Sequence, residues 1–223
     1  MTTASRELER SLASDWGIVA GMDEVGRGAL AGPVAVGVAL IGVHAGPVPE
    51  GLTDSKALTP RRRDALVEPI QSWVQDCAVG YASPQEIDRW GIIVALRLAG
   101  RRALAEVASR GLVPGGVLLD GSHDWLSEPD DLFGGIDEPE DPFGVELPVH
   151  MQVKADLSCA VVAAASVLAK VARDRLMTDA DDPGYGWASN KGYGSAAHAR
   201  AIAELGVCDF HRRSWKMPTK PTK

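Results

Sequence analysis

Two adjacent acids beside a glycine turn constrain this chain more than any other feature. Residues 17–22 form a short apolar run that ends in Asp23-Glu24, and residues 33–43 form a second, Val-rich run. Between them stands Gly26-Arg27-Gly28, with Gly32-Pro33 closing the segment. Apolar runs flanking a glycine-rich turn read as paired strands. The carboxylate pair is then left where a buried strand meets a turn, and ligands of α/β sheets collect at strand ends. The turn itself is open to two readings. Glycines around one residue let backbone amides approach a ligand and adopt positive φ, and the same pattern also serves a plain hairpin. It is not a dinucleotide fingerprint, because the third glycine comes one position late, and no GxxxxGK[ST] phosphate loop is present.

The remaining elements follow from punctuation and periodicity. Thr59-Pro60 supplies an N-cap and first helical position for a helix reaching about residue 76, which the internal Pro69 is expected to kink or end early. Residues 77–82 read as a third strand. Ser83-Pro84 opens a helical region interrupted near Gly91 and running to residue 110, where Gly111 and Pro114 stop it. Residues 117–120 are a short apolar strand ending in Asp120, and 147–154 another strand. Residues 157–178 read as one long helix, small and apolar in its first half and charged in its second, entering the core and emerging at its C-terminal end. Residues 195–205 form a last helix closed by Gly206. This order predicts an α/β domain with a mixed central sheet flanked by helices. The chain divides into an N-terminal extension (1–16), a main domain (17–182), a small helical C-terminal part (183–215) and a basic, Pro-rich tail (216–223) expected to be disordered.

A net charge of −7 on 223 residues first argues against a nucleic-acid partner. The distribution reverses that. Residues 121–150 hold nine acids and no Lys or Arg, and without them the chain carries 21 acids against 23 bases. An acidic insertion at about 121–146 is therefore expected to hang from the surface, leaving the rest free to present a basic face. No apolar run reaches the about 18 residues of a membrane helix, and the start lacks a signal-peptide layout, so a cytosolic, monomeric protein is expected. Cys77, Cys159 and Cys208, distant and odd in number, read as reduced thiols.

Asp23, Glu24, Asp120 and Asp156 all fall at strand ends or strand-to-helix junctions. Four partly buried carboxylates repel one another unless a cation joins them. All-oxygen donors favour Mg²⁺ or Mn²⁺ over zinc, and two such ions roughly 3.5–4 Å apart can hold a phosphodiester, activate water and stabilise the leaving oxygen. Taken singly, each acid reads as readily as a cap or a surface ion pair. The five histidines have no metal-ligand spacing, and Ser166 to Lys170 is S-x-x-x-K, not the S-x-x-K of acyl-transfer enzymes.

Further segments carry a resemblance. The run from Asp23 to Val34, Leu52-Thr-Asp-Ser-Lys-Ala-Leu58, Glu86-Ile-Asp88, Leu119-Asp-Gly121, the stretch from Ala164 to Asp174, Lys191-Gly-Tyr193, His198 and His211-Arg-Arg-Ser-Trp215 occur in order. Together they resemble bacterial ribonuclease HII, the type 2 RNase H family. The resemblance implies an RNase H-like fold with a small helical C-terminal part. It implies that Asp23, Glu24, Asp120 and Asp156 bind two metal ions and are catalytic. It implies that the Gly26-Arg27-Gly28 backbone reads a ribose 2′-hydroxyl and that Tyr193 packs on the neighbouring deoxyribose. Lys56, Ser166, Lys170, Arg173, His198 and Arg212 are candidate phosphate contacts, which position a duplex without reading its sequence. The implied reaction is hydrolysis on the 5′ side of a ribonucleotide, in an RNA–DNA hybrid or at a single ribonucleotide in duplex DNA, leaving 3′-hydroxyl and 5′-phosphate ends. Three positions depart from the family pattern: Ala155 stands where Gly is usual, the stretch between Asp120 and Asp156 is longer and more acidic, and Trp215 replaces the common Phe. Two rivals stand beside this reading, a metal nuclease of the same fold acting on DNA alone and a hybrid-binding protein without catalysis.

Overall fold

The computed structural model describes residues 4–128 and 139–218, so the tail beyond 218, expected to be disordered, lies outside the described residues. The elements in chain order are α1 (Glu7–Trp16), β1 (Ile18–Val25), β2 (Val34–Gly42), a short 3₁₀ turn (Ser55–Ala57), α2 (Pro60–Trp73), β3 (Asp76–Ala82), α3 (Pro84–Ser109), β4 (Gly116–Asp120), β5 (Val149–Gln152), α4 (Ala155–Ser158), α5 (Ala160–Asp179), α6 (Trp187–Asn190) and α7 (Ala196–Leu205). The five strands form one sheet in the order β3-β2-β1-β4-β5. β1 pairs antiparallel with β2 and parallel with β4; β2–β3 is antiparallel and β4–β5 parallel. The expected mixed sheet flanked by helices is present.

Side-chain alternation along the strands divides the core in two. Val19, Ala39, Ile41 and Leu118 face α5, with α1 and α2 alongside. Ala20, Met22, Val36, Val38 and Leu119 face α3. α5 crosses the sheet very closely: a Cβ at Gly37 would lie 2.3 Å from the Ala165 carbonyl oxygen. Only a residue without a side chain permits that approach, and the small residues Ala163, Ala164 and Ala165 serve it from the helix. A third, smaller cluster joins Ala31 and Met177 to Tyr185, Trp187 and Ile202 of the C-terminal segment.

α2 runs through Pro69 and ends at Trp73, short of residue 76. Two expectations are corrected. The single helix expected over 157–178 is instead the short α4 and the long α5, broken where Cys159 adopts extended backbone (φ −113°, ψ 120°). The acidic insertion does not hang free in its described parts. Trp125 and Leu126 are buried against α3, and the Arg101 guanidinium meets Glu146 at 2.5 Å and Asp141 at 3.5 Å. The apolar residues within that stretch outweigh its charge, because Arg101 neutralises the acids that come down with them. The break near Gly91 is present, at φ 80°, and the Ser83–Glu86 capping box starts α3. Among the described residues no helix is long and apolar enough to cross a membrane.

The first sixteen residues do more than extend the chain. Ser5 bridges Cys159, its amide donating to the Ser158 carbonyl and its carbonyl accepting from Ala160. The buried Glu9 carboxylate accepts from the Val161 amide at 2.6 Å and so caps the start of α5. Arg6 pairs with Glu9 and donates to the carbonyls of Gly42, Ala45 and Gly46. Burial pushes the Glu9 carboxyl up to about 7, although the Val161 amide and Arg6 pull the other way. The folded chain therefore holds that proton more tightly than the unfolded chain, whose glutamate titrates near 4.5. Stability from this group is full below about 4.5 and is lost as pH rises through 7. Urea titrations at pH 5 and pH 8 are expected to show wild type losing on the order of 1–3 kcal/mol more than Glu9→Gln over that interval. Parallel losses in both proteins would refute the assignment.

Candidate active site

The parallel pairing of β1 with β4 builds the site. The register Gly21↔Leu118 and Met22↔Leu119 leads directly to Asp23 beside Asp120 at the carboxyl ends of the two strands. Alternation from Val19 and Leu118 sends both carboxylates to the α5 face. Asp120 Oδ1 accepts the Ala155 amide at 2.7 Å, which ties the end of β4 to the first turn of α4, where Asp156 sits. Glu24 follows Asp23 and lies 3.5 Å from Arg27. Four acids from three distant segments thus share one end of the sheet.

Their electrostatics record that crowding. Burial, then the charges of Glu24 and Asp120, push Asp23 up to about 7 against relief from a Ser166 hydrogen bond and from Lys56. Burial raises Glu24, with Arg27 opposing and Asp120 adding. Burial raises Asp156 as well, followed by Asp120 and Asp54. Burial works against the charge on Lys56, but Asp23, Asp156, Asp54 and Asp120 outweigh it and raise its pKa. Lys56 Nζ lies 3.7 Å from Asp156 with most of its side chain in solvent. No three of the four acids bring oxygens within 4.8 Å of one another. Among the described residues the trio that does is Glu128, Asp141 and Glu146 in the insertion, where Arg101 already supplies the counter-charge.

The glycine turn continues from these acids. Gly26 has φ +85°, and a Cβ there would meet the Arg173 guanidinium, so no other residue fits. Arg27 and Gly28 are exposed. Tyr193 is half-buried, with Lys170 Nζ 5.7 Å and the Arg173 guanidinium 5.4 Å from its ring centre. The turn and the Tyr193 loop are joined, since the amides of Leu30 and Ala31 both donate to the Gly192 carbonyl.

Four of the candidate phosphate contacts are buried. Arg212, fully buried, donates to the carbonyls of Gly26, Arg27 and Gly32. Arg173, also fully buried, donates to Ala31, Pro33 and Lys191. Ser166 is buried against Ser55, at 2.9 Å, and Asp23. His198 is enclosed between Tyr193 and His211. The two arginines instead fix the backbone of the turn, whose clustered carbonyls need donors out of reach of water. Lys170 is half-buried and meets Asp174 at 2.6 Å. Two contributors escaped the sequence reading. Asp54 is a fifth acid beside Asp156, and Ser55 braces Ser166. Both stand in the Leu52–Leu58 segment that carried the resemblance, and their position in that segment was the available signal.

Comparison with known proteins places this geometry. The family model described as Ribonuclease HII matches residues 20–218. A ribonuclease HII of Streptomyces avermitilis is 45% identical over 212 residues, covering 93% of this chain and 82% of the relative. The structure of the PCNA:RNase HII complex from Archaeoglobus fulgidus aligns with a TM-score of 0.62 at 27% identity, covering 92% of this chain and 98% of that one. Bst-RNase HIII in complex with Mn²⁺ shares the fold, with a TM-score of 0.54 at 22% identity, covering 87% and 65%. The mixed sheet, covered by helices on both faces and with acids at the ends of its central strands, is thus an RNase H-like fold, and the chain belongs to the ribonuclease HII family and is a ribonuclease H.

Proposed function

We propose that this ribonuclease H cuts on the 5′ side of a ribonucleotide, both in RNA–DNA hybrids and at single ribonucleotides in duplex DNA, leaving 3′-hydroxyl and 5′-phosphate ends. The observation that carries the reading is the exposed Arg27–Gly28 turn, which leaves β1 directly after the crowded Asp23–Glu24 pair. In this reading the Gly26-Arg27-Gly28 backbone hydrogen-bonds the 2′-hydroxyl, the group that separates RNA from DNA at a given position. Tyr193 packs on the sugar to the 3′ side, where an added hydroxyl would clash. Asp23, Glu24, Asp120 and Asp156 would hold Mg²⁺ or Mn²⁺, two ions per site. Their oxygen donors suit hard cations, and burial, together with the neighbouring carboxylates, raises Asp23, Glu24 and Asp156, a crowding that a bound cation would offset. When bound, such ions supply the charge that activates water and stabilises the leaving oxygen. Lys56, exposed at the rim, and Lys170, beside Tyr193, are the cations left to meet phosphates.

The test is cleavage of end-labelled duplexes carrying one ribonucleotide, a full RNA strand, or none, with Mg²⁺, Mn²⁺ or a chelator. A site built to bind a hydroxyl rejects the analogue lacking it by about 10⁴-fold. The duplex with one ribonucleotide should therefore be cut fastest with either metal, the full RNA strand more slowly because its 3′-side sugars carry the hydroxyl that crowds Tyr193, and the all-DNA duplex not at all. Comparable cutting of all three would overturn the proposal.

A further inference from the structure

His198 and His211 lie within the small C-terminal core, both essentially inaccessible. Their hydrogen bonds run in one direction. His198 Nδ1 lies 2.9 Å from the Tyr193 carbonyl oxygen, which only accepts, so Nδ1 carries a proton. In a neutral ring His198 Nε2 is then an acceptor, and it lies 3.2 Å from His211 Nε2, which must donate. His211 Nδ1 is left to accept, and the Cys208 amide donates to it at 3.2 Å. The chain Cys208 N–H, His211, His198, Tyr193 C=O is complete with each ring neutral in one fixed tautomer. Burial, and then His198, push His211 down to about 4, in keeping with a neutral ring. The Tyr185 ring meets His211 edge-on at 4.5 Å and stacks on Trp187 at 5.3 Å, which fixes the imidazole plane. From its other side, the Tyr193 segment is held by Arg173 through the Lys191 carbonyl and by the Leu30 and Ala31 amides on Gly192.

We infer that His198 and His211 are positioning residues that hold Tyr193 at the height where it can exclude a 2′-hydroxyl from the 3′-side sugar. The inference deepens the functional reading above and rests on the role of Tyr193 in it. Neither histidine touches nucleic acid. Their contribution is to selectivity between a ribonucleotide followed by deoxyribose and one followed by ribose.

The experiment measures kcat/KM on two duplexes that differ only in the sugar 3′ to the ribonucleotide, for wild type, Tyr193→Ala, His198→Phe, His211→Gln and the double variant Tyr193→Ala/His198→Phe. Loss of a group that orients a contacting residue typically costs about 10–100-fold. His198→Phe is expected to lower the preference for the deoxyribose junction by about tenfold. The double variant should fall no further than Tyr193→Ala alone, because both changes act through one ring. His211→Gln keeps a donor for His198 Nε2 and should retain most of the preference, a rescue that loss of core packing would not allow. If His198→Phe fails to fold, His211→Leu breaks the same chain one link further out and is read in the same assay. A folded His198→Phe or His211→Leu with undiminished preference, alongside a Tyr193→Ala that loses it, overturns the positioning role alone. A Tyr193→Ala that keeps the preference removes the role of Tyr193 itself, and the inference with it.

Discussion

Asp120→Asn is expected to lose cleavage by about 10³-fold or more, about 4 kcal/mol of transition-state stabilisation, while still binding its duplex. The substitution separates the two jobs of the side chain. One oxygen accepts the Ala155 amide at 2.7 Å and so anchors the helical turn that carries Asp156. An asparagine carbonyl accepts the same bond, so the junction and the fold should persist. The other job is to carry charge beside Asp23 and Asp156, both of which feel it. An amide has no charge to hold a divalent ion, and the shared site weakens as a unit. Duplex affinity should be unchanged or slightly higher, because a negative charge facing phosphates is gone. Single-turnover cleavage, fluorescence anisotropy with the uncut duplex and calorimetric titration with Mn²⁺ read the three quantities separately. Cleavage within tenfold of wild type would remove Asp120 from the chemistry.

The same residue shows how far a sequence reading reaches. Asp23 and Asp120 were legible because each ends a short apolar strand, and strand ends are few. That they become neighbours depends on the parallel β1–β4 pairing, which no local pattern displays. Basic residues were the least legible. Arg173 reads as a solvated face or a phosphate contact, and His198 and Arg212 as phosphate contacts, yet all three are buried. The two arginines bond backbone carbonyls of a turn more than a hundred positions away, and carbonyl demand leaves no mark in side-chain periodicity. Glu9 was passed over in the same way. Residues 1–16 were read only as an extension, although Leu8, Leu12 and Trp16 recur at helical spacing and all pack on the core. The use of a buried acid there to cap α5 was not legible, because that depends on where α5 begins, and the break at Cys159 was itself unforeseen.

Arg212→Leu should be the most destabilising single change outside the apolar core. The guanidinium is fully buried and spans the glycine turn, reaching Gly26 at 2.7 Å, Arg27 at 2.8 Å and Gly32 at 3.1 Å while lying over the Trp215 ring at 5.0 Å. Burial and the neighbouring charge of Arg173 push it down only to about 9, so it stays cationic at neutral pH, and its cost of burial is offset by those carbonyls. Leucine fills most of the space but strands three acceptors, each costing about 1–3 kcal/mol if left dry. Some will find water, and a net loss of roughly 3–5 kcal/mol follows. In a chain of this size about 1 kcal/mol moves Tm by 2–4 °C, which gives a fall on the order of 10 °C in a thermal melt. Lysine reaches one carbonyl where the planar fork reaches three, so Arg212→Lys should lie between the two. Because the stranded carbonyls belong to the turn proposed to face the 2′-hydroxyl, both variants should also lose discrimination between ribose and deoxyribose, in the order of their melting temperatures. A leucine variant that melts with wild type would mean that the turn keeps its shape without the guanidinium, and that its glycines alone set the site.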